Sequence, residues 1–155
     1  MVALACVVTL ALAGCDAIPA PLGSTTAPTP PPTPVEQHVL ASINSLRASH
    51  HLPALKVNPN LEDKARLWSA WMAGGGCGTA ICHSRLASGI KPGWTMLAEN
   101  VGAARPKSNI DGVINGFTQS PGHLANILNA TVKFVGVGVA YSGNTVFVTE
   151  ELMAR

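Results

Sequence analysis

From residue 35 to residue 72 apolar side chains return every three or four positions; from residue 134 onward the period changes. The chain therefore reads as helices first and strands last. Val35, Val39, Ile43 and Leu46 form one stripe, with Leu40 beside them. Thr33-Pro34-Val35-Glu36 fits a capping box, with Thr33 as N-cap, Pro34 at the first helical position and Glu36 at the third. This helix is expected to run to about His50, ahead of Leu52-Pro53. A second stripe, Leu61, Ala65, Trp68 and Met72, opens at Asn58-Pro59 and stops at Gly74-Gly75-Gly76.

The middle of the chain is more broken. WTMLAENVG, residues 94–102, reads as a short strand running into a loop. Ser108-Asn109-Ile110-Asp111 is another capping pattern, with Asp in place of the usual Glu, and Val113, Ile114 and Phe117 make the apolar face behind it. Ser120-Pro121 restarts the chain as a short helix, SPGHLANIL. FVGVGVA (134–140) and TVFVTEEL (145–152) are β-branched and separated by Tyr141-Ser142-Gly143-Asn144, a hairpin signal. The fold class that follows is α+β, with helices packed on a small antiparallel sheet.

His123 is the first residue with chemistry to offer. It falls near the third position of the short helix, where the dipole disfavours imidazolium, so a neutral ring is expected near pH 7. A neutral imidazole there can be a metal ligand, a base or a hydrogen-bonding residue in a wall. Asn126 shares a helical face with it and is placed to orient it or cap nearby backbone. Glu99 lies in an otherwise apolar stretch, where a carboxylate must pair with a histidine, bind a metal or accept from backbone amides. Asn100 reads as a structural hydrogen-bonding residue. Trp68 reads chiefly as core, although Trp68, Trp71 and Trp94 together are candidates for a ligand groove. His38, His50 and His51 read as solvated helix-end residues.

Ten Lys and Arg against eight Asp and Glu leave a net charge of +2 with no dense basic run, so nucleic acid is not an indicated partner. The start, MVALACVVTLALAGC, has an apolar run with the length of a signal-peptide core, too short to span a bilayer. Its end, Leu12-Ala13-Gly14-Cys15, resembles a bacterial lipobox; the resemblance implies cleavage before Cys15, lipidation of its sulfur and attachment to the outer side of a cell membrane. If the signal is instead an ordinary cleaved one, the protein is secreted. Residues 16–34 hold seven of the twelve prolines and almost no charge. They are expected to form a tether reaching roughly 50–60 Å when fully extended. With Cys6 in the leader and Cys15 lipidated, Cys77 and Cys82 remain, and outside the cytoplasm they read as one disulfide. A zinc site using both thiolates and the adjacent His83 is the alternative.

The order of motifs over residues 35–155 resembles the CAP superfamily, the SCP domain shared by cysteine-rich secretory proteins, antigen 5 and pathogenesis-related 1 proteins, in its compact bacterial branch. The residues that carry the resemblance are VLASINSLRASHHLPALKVNPNL (39–61), His83-Ser84, LAEN (97–100), SPGHLANIL (120–128), VGVGVAY (135–141) and VFVTEE (146–151). It implies an α–β–α sandwich with an open cleft, lined here by His83 and Glu99. The family's second cleft glutamate corresponds to Ser120, so that carboxylate is missing. His123 stands in for the second histidine, whose own position falls near Thr131. Two histidines and one glutamate can satisfy zinc or another divalent metal with water completing the shell. Their spacings match no local ligand signature.

The eroded acid/base set favours a non-enzymatic binding module for an envelope ligand (a lipid, a wall fragment or a protein), with Ser120, Asn126, His83, Glu99 and His123 lining the cleft. The alternative is a zinc-dependent hydrolase or peptidase built on His83, Glu99 and His123.

Overall fold

The computed structural model describes residues 29–155, so the leader, Cys6, the lipobox with Cys15 and the tether up to residue 28 lie outside the described residues. Within them the chain forms α1 (Pro34–Ser49), β1 (Lys56–Val57), α2 (Pro59–Ala73), β2 (Met96–Ala104), α3 (Ile110–Gln119), α4 (Pro121–Ile127), β3 (Phe134–Ser142) and β4 (Thr145–Ala154). No helix among the described residues is long and apolar enough to cross a membrane.

Both early helices start where their caps place them. Thr33 Oγ1 accepts from the Glu36 N–H, and the Thr33 N–H donates to Glu36 Oε2, closing the capping box. Asn58 Oδ1 accepts from the Asn60 and Leu61 amides at the head of α2. The third cap differs from the expectation: Asn109, not Ser108, caps α3, its Oδ1 accepting from the Gly112 N–H at 3.0 Å. Ser120 holds the N-cap backbone of α4 but makes no side-chain cap bond.

The sheet runs β1-β3-β4-β2. The long strands pair antiparallel, as expected, but β1 pairs parallel to β3, so the sheet is mixed. Two residues of β1 are too few to show a period. β2 is also a full nine-residue strand rather than a short one giving way to a loop, because all of Met96–Ala104 is registered against β4.

Alternation along the strands builds two faces. Ala98, Val135, Val137, Val146, Val148 and Leu152 pack under α1 and α3 against Val39, Ile43, Val113 and Phe117. The opposite face presents Leu97, Phe134 and Met153 to Leu61 and Ile90. There α2 lies directly on β3: a Cβ at Gly136 would stand 2.1 Å from the Leu61 carbonyl carbon, and one at Gly138 2.1 Å from that of Ala65. Only glycine at these positions lets helix and strand backbones meet. The result is the expected α–β–α sandwich.

Two charged side chains fasten the layers. Arg47 is fully buried and donates to the carbonyls of Pro53, Ile127, Asn129 and Val132, tying α1 to the chain between α4 and β3. Arg66 pairs with Glu36 at 2.7 Å and Glu62 at 3.0 Å, and donates to the carbonyls of Pro30 and Pro31. Thr29 reaches Asp63 at 3.0 Å. Residues 29–31 at the end of the expected tether therefore lie on α2, held through Thr29 and through Arg66 at the Pro30 and Pro31 carbonyls, while Pro32 and Thr33 bond to the start of α1. On the other side His38, expected to be solvated, pairs with Asp111 at 2.7 Å while remaining exposed.

Candidate functional site

The segment after α2 is held by the Cys77–Cys82 disulfide, whose Cα atoms lie 5.8 Å apart. Bonded to each other as expected, the two sulfurs are not available here as thiolate ligands. Trp68, expected chiefly as core, is half-buried; it stacks on Trp71 at 6.4 Å and donates its indole N–H to the Cys82 carbonyl at 2.8 Å. The next residue is His83, so α2 and the disulfide together fix where this histidine stands. Trp94 is exposed.

His83 donates from Nδ1 to Glu99 Oε1 at 2.8 Å, and the Ser84 backbone N–H donates to the same oxygen at 2.8 Å. The imidazole is 60% exposed whereas the Glu99 side chain is wholly buried. One end of the pair is fixed in the fold and the other faces solvent. Glu99 stands opposite Glu151 in the β2–β4 ladder. Lys64, on α2, reaches across both: its Nζ lies 2.5 Å from Glu151 Oε1, 2.7 Å from Ser84 Oγ and 3.8 Å from Glu99 Oε2.

Two oxygens in this cluster, Glu99 Oε2 and Glu151 Oε2, are buried with no other hydrogen-bond donor. A proton on Glu151 shared with Glu99 satisfies both. The energetics agree. Burial pushes Glu151 up to about 8, with the Glu99 charge adding to the rise and Lys64 opposing it. Burial also acts to raise Glu99, but hydrogen bonds from Glu151, Ser84 and His83 outweigh it and hold that carboxyl below its usual value. At neutral pH Glu99 carries the charge and Glu151 the proton.

His123 enters from the other layer. Its ring packs edge-on against Phe117 at 5.1 Å, and its buried Nδ1 has no hydrogen-bond partner. Burial first, and the charge of His83 second, push its pKa down. The neutral ring expected from the helix field thus has burial as its leading cause. Asn100, fully buried, donates to the His123 carbonyl at 3.2 Å and to Glu150 Oε2 at 2.9 Å. Asn126 donates to Asn100 Oδ1 at 2.9 Å, so it braces Asn100 and not the imidazole. Ser120 makes no bond to any of these groups through its side chain.

The metal reading meets an obstacle in this geometry. With Nδ1 bound to Glu99, a metal on His83 could sit only at Nε2, on the far side of the ring from that carboxylate. His83 and Glu99 therefore cannot ligate one ion as they stand. Among the described residues no three His, Cys, Asp or Glu side chains group as a metal shell. His83 and Glu99 meet in a direct hydrogen bond, His123 is tied to β2 through its carbonyl on Asn100, and the three form no metal shell.

Lys64, Glu150 and Glu151 were absent from the expected set. Their signal was present: two adjacent glutamates in an apolar strand, and a lysine beside the Leu61–Ala65–Trp68 stripe of α2. A second carboxylate does stand beside Glu99, but it is the fully buried Glu151 of β4 and not a residue at the Ser120 position.

Residues 40–151 match the cysteine-rich secretory protein family, CAP. Solved structures of similar fold include an outer surface protein from Borrelia burgdorferi, 18% identical with a TM-score of 0.62, over 78% of this chain and 92% of that one. An extracellular SCP-domain protein from Bacillus anthracis is 25% identical with a TM-score of 0.61; 81% of this chain is covered, but only 45% of that protein. Venom allergen-like protein 4 of Schistosoma mansoni is 12% identical with a TM-score of 0.64, over 79% and 90% of the two chains. No curated protein sequence matches the chain.

Proposed function

The chain belongs to the CAP family of cysteine-rich secretory proteins, and from that premise we propose that it is an extracytoplasmic binding module, held at the membrane through Cys15, that receives an envelope ligand at its His83–Glu99 cleft. The observation that carries the reading is the asymmetry of that pair. A buried, ionised Glu99 fixes one nitrogen of an imidazole whose ring is mostly exposed, leaving Nε2 to meet a ligand. Groups fixed before the ligand arrives lower the ordering cost of binding.

Turnover finds little support in the same atoms. Both cysteines near the site are oxidised. Ser84 Oγ accepts from Lys64, and an ammonium in contact with a glutamate is a donor to that hydroxyl, not a base for it. The surface and extracellular descriptions of the Borrelia and Bacillus relatives favour a location outside the cytoplasm, and the lipobox supplies the anchor.

The test is direct binding. Purified protein is titrated with vesicles of anionic phospholipid and, separately, with soluble peptidoglycan fragments, using wild type and His83→Ala. One of the two is expected to bind, with affinity falling about tenfold in the variant, equivalent to about 1.4 kcal/mol and in the range of one net hydrogen bond. Failure of both probes, or identical binding by the variant, rejects the cleft as the receptor. Radiolabelled palmitate incorporation, lost in Cys15→Ser, tests the anchor separately.

A further inference from the structure

Lys64 is an unusual residue to find buried beneath the His83–Glu99 pair. It is 7% exposed, sits on the face of α2 that covers the sheet, and contacts a hydroxyl and two carboxylates from three other segments. A buried lysine needs a compensating negative charge, and here the Glu99–Glu151 pair supplies it. We propose that Lys64 is the resident cation of this site: its ammonium fills the place between Glu99 and Glu151 that a divalent metal ion would otherwise take.

Three observations converge on this. Glu99 Oε1 already accepts two hydrogen bonds, from His83 Nδ1 and the Ser84 amide, so only Oε2 remains to bind an ion. That oxygen and Glu151 Oε2 are both buried, lie on residues directly opposite in the ladder, and have only the Glu151 proton between them, which an entering cation would displace. Facing oxygens of this kind suit a hard, oxygen-preferring cation. The Lys64 ammonium stands within 3.8 Å of one carboxylate and 2.5 Å of the other, so an incoming ion would meet a fixed positive charge at contact range. Lysine also donates to Ser84, which a metal at the carboxylates need not do, and so fastens the disulfide loop to the core in the same stroke.

The inference holds whichever ligand His83 receives, and its test does not use that ligand. Mn2+ is titrated into the purified protein and followed by its electron paramagnetic resonance and by Tm, for wild type, Lys64→Ala, Lys64→Gln and Lys64→Ala/Glu151→Gln. Wild type is expected to leave Mn2+ free. Lys64→Ala should bind it at least about tenfold more tightly and recover Tm on its addition, and the double variant should lose both effects. Lys64→Gln keeps a neutral donor near Ser84 and Glu151; it should bind in the same way if the alanine variant does not fold. The proposal is overturned if wild type binds Mn2+ as tightly as the lysine variants. It is equally overturned if a folded lysine variant gains no binding, or if the gain survives Glu151→Gln.

Discussion

Two neighbouring rungs of the β2–β4 ladder solve one problem in opposite ways. Glu99 faces Glu151, and one residue on, Asn100 faces Glu150. Alternation sends the first pair to the α2 face and the second to the face under α1 and α3. On the α2 face the fold supplies a lysine, two hydrogen bonds to Glu99 Oε1 and an opening through His83, and one carboxylate stays ionised. On the other face Glu150 is fully buried beside Ile43, Phe117 and Ile127, with an amide for a partner and no cation, and burial pushes it up to about 7. A charge kept inside a protein needs a countercharge; a carboxyl without one keeps its proton instead. One face thus keeps a compensated charge beneath an exposed imidazole, and the other buries a carboxyl with only an amide for a partner.

The sharpest way to break the contrast is to remove the countercharge. Lys64→Met should destabilise the protein by about 3–5 kcal/mol, since it strands an ionised Glu99 in the interior. Urea unfolding at pH 7 measures this. Adding Glu99→Gln to Lys64→Met should restore most of the loss, because the double variant contains no unpaired buried charge there. If the two losses simply add, Lys64 is not compensating Glu99.

A smaller effect is expected on the neutral face. Asn126→Ala removes the donor to Asn100 Oδ1 and leaves a buried carbonyl oxygen unsatisfied, at a cost of about 1–2 kcal/mol. Because Asn100 also holds the His123 carbonyl, the His123 ring resonances should shift in the NMR spectrum while those of His83 stay in place. Equal shifts in both would mean that the two faces are mechanically one unit.

How far this was readable without coordinates varies with the physics involved. The caps of α1 and α2, the hairpin and the α+β class follow from local chemistry and periodicity, which a sequence displays directly; the α–β–α sandwich came from the family resemblance. The cleft roles of His83 and Glu99 came from the resemblance; that a carboxylate in this apolar stretch needs a histidine, a metal or amides was legible locally, but not that its partners are His83 Nδ1 and the Ser84 amide. The register that sets Glu99 against Glu151 depends on which strands become neighbours, and β2 and β4 are separated by two helices and a strand. Lys64 looked like one charged residue on a helix, since nothing local says that α2 would lie face down on glycines of β3. Asn109 displaced Ser108 as a cap because several polar residues competed for one helix start, a choice that propensity leaves open. The docking of residues 29–31 likewise needed Arg66 from a different segment.

The mildest change, Glu150→Gln, sharpens the comparison through pH. The folded-state value of Glu150, about 7, lies above the ordinary 4.5 of an unfolded glutamate. Its contribution to stability is therefore complete below pH 4.5 and is lost as pH rises through about 7, because the folded state binds the extra proton. Glutamine has nearly the shape of the protonated acid and cannot ionise. At pH 5 the variant should match wild type within about 1 kcal/mol. Between pH 5 and pH 8 wild-type Tm should decline and the variant's should decline less, so the variant becomes the more stable protein at the alkaline end. Glu151 contributes to the wild-type decline in the same direction, near pH 8, and is unchanged by this substitution, so part of the slope should persist. Parallel Tm profiles across that range would show that Glu150 is ionised in the folded protein, and the distinction between a compensated and a protonated face would fall with it.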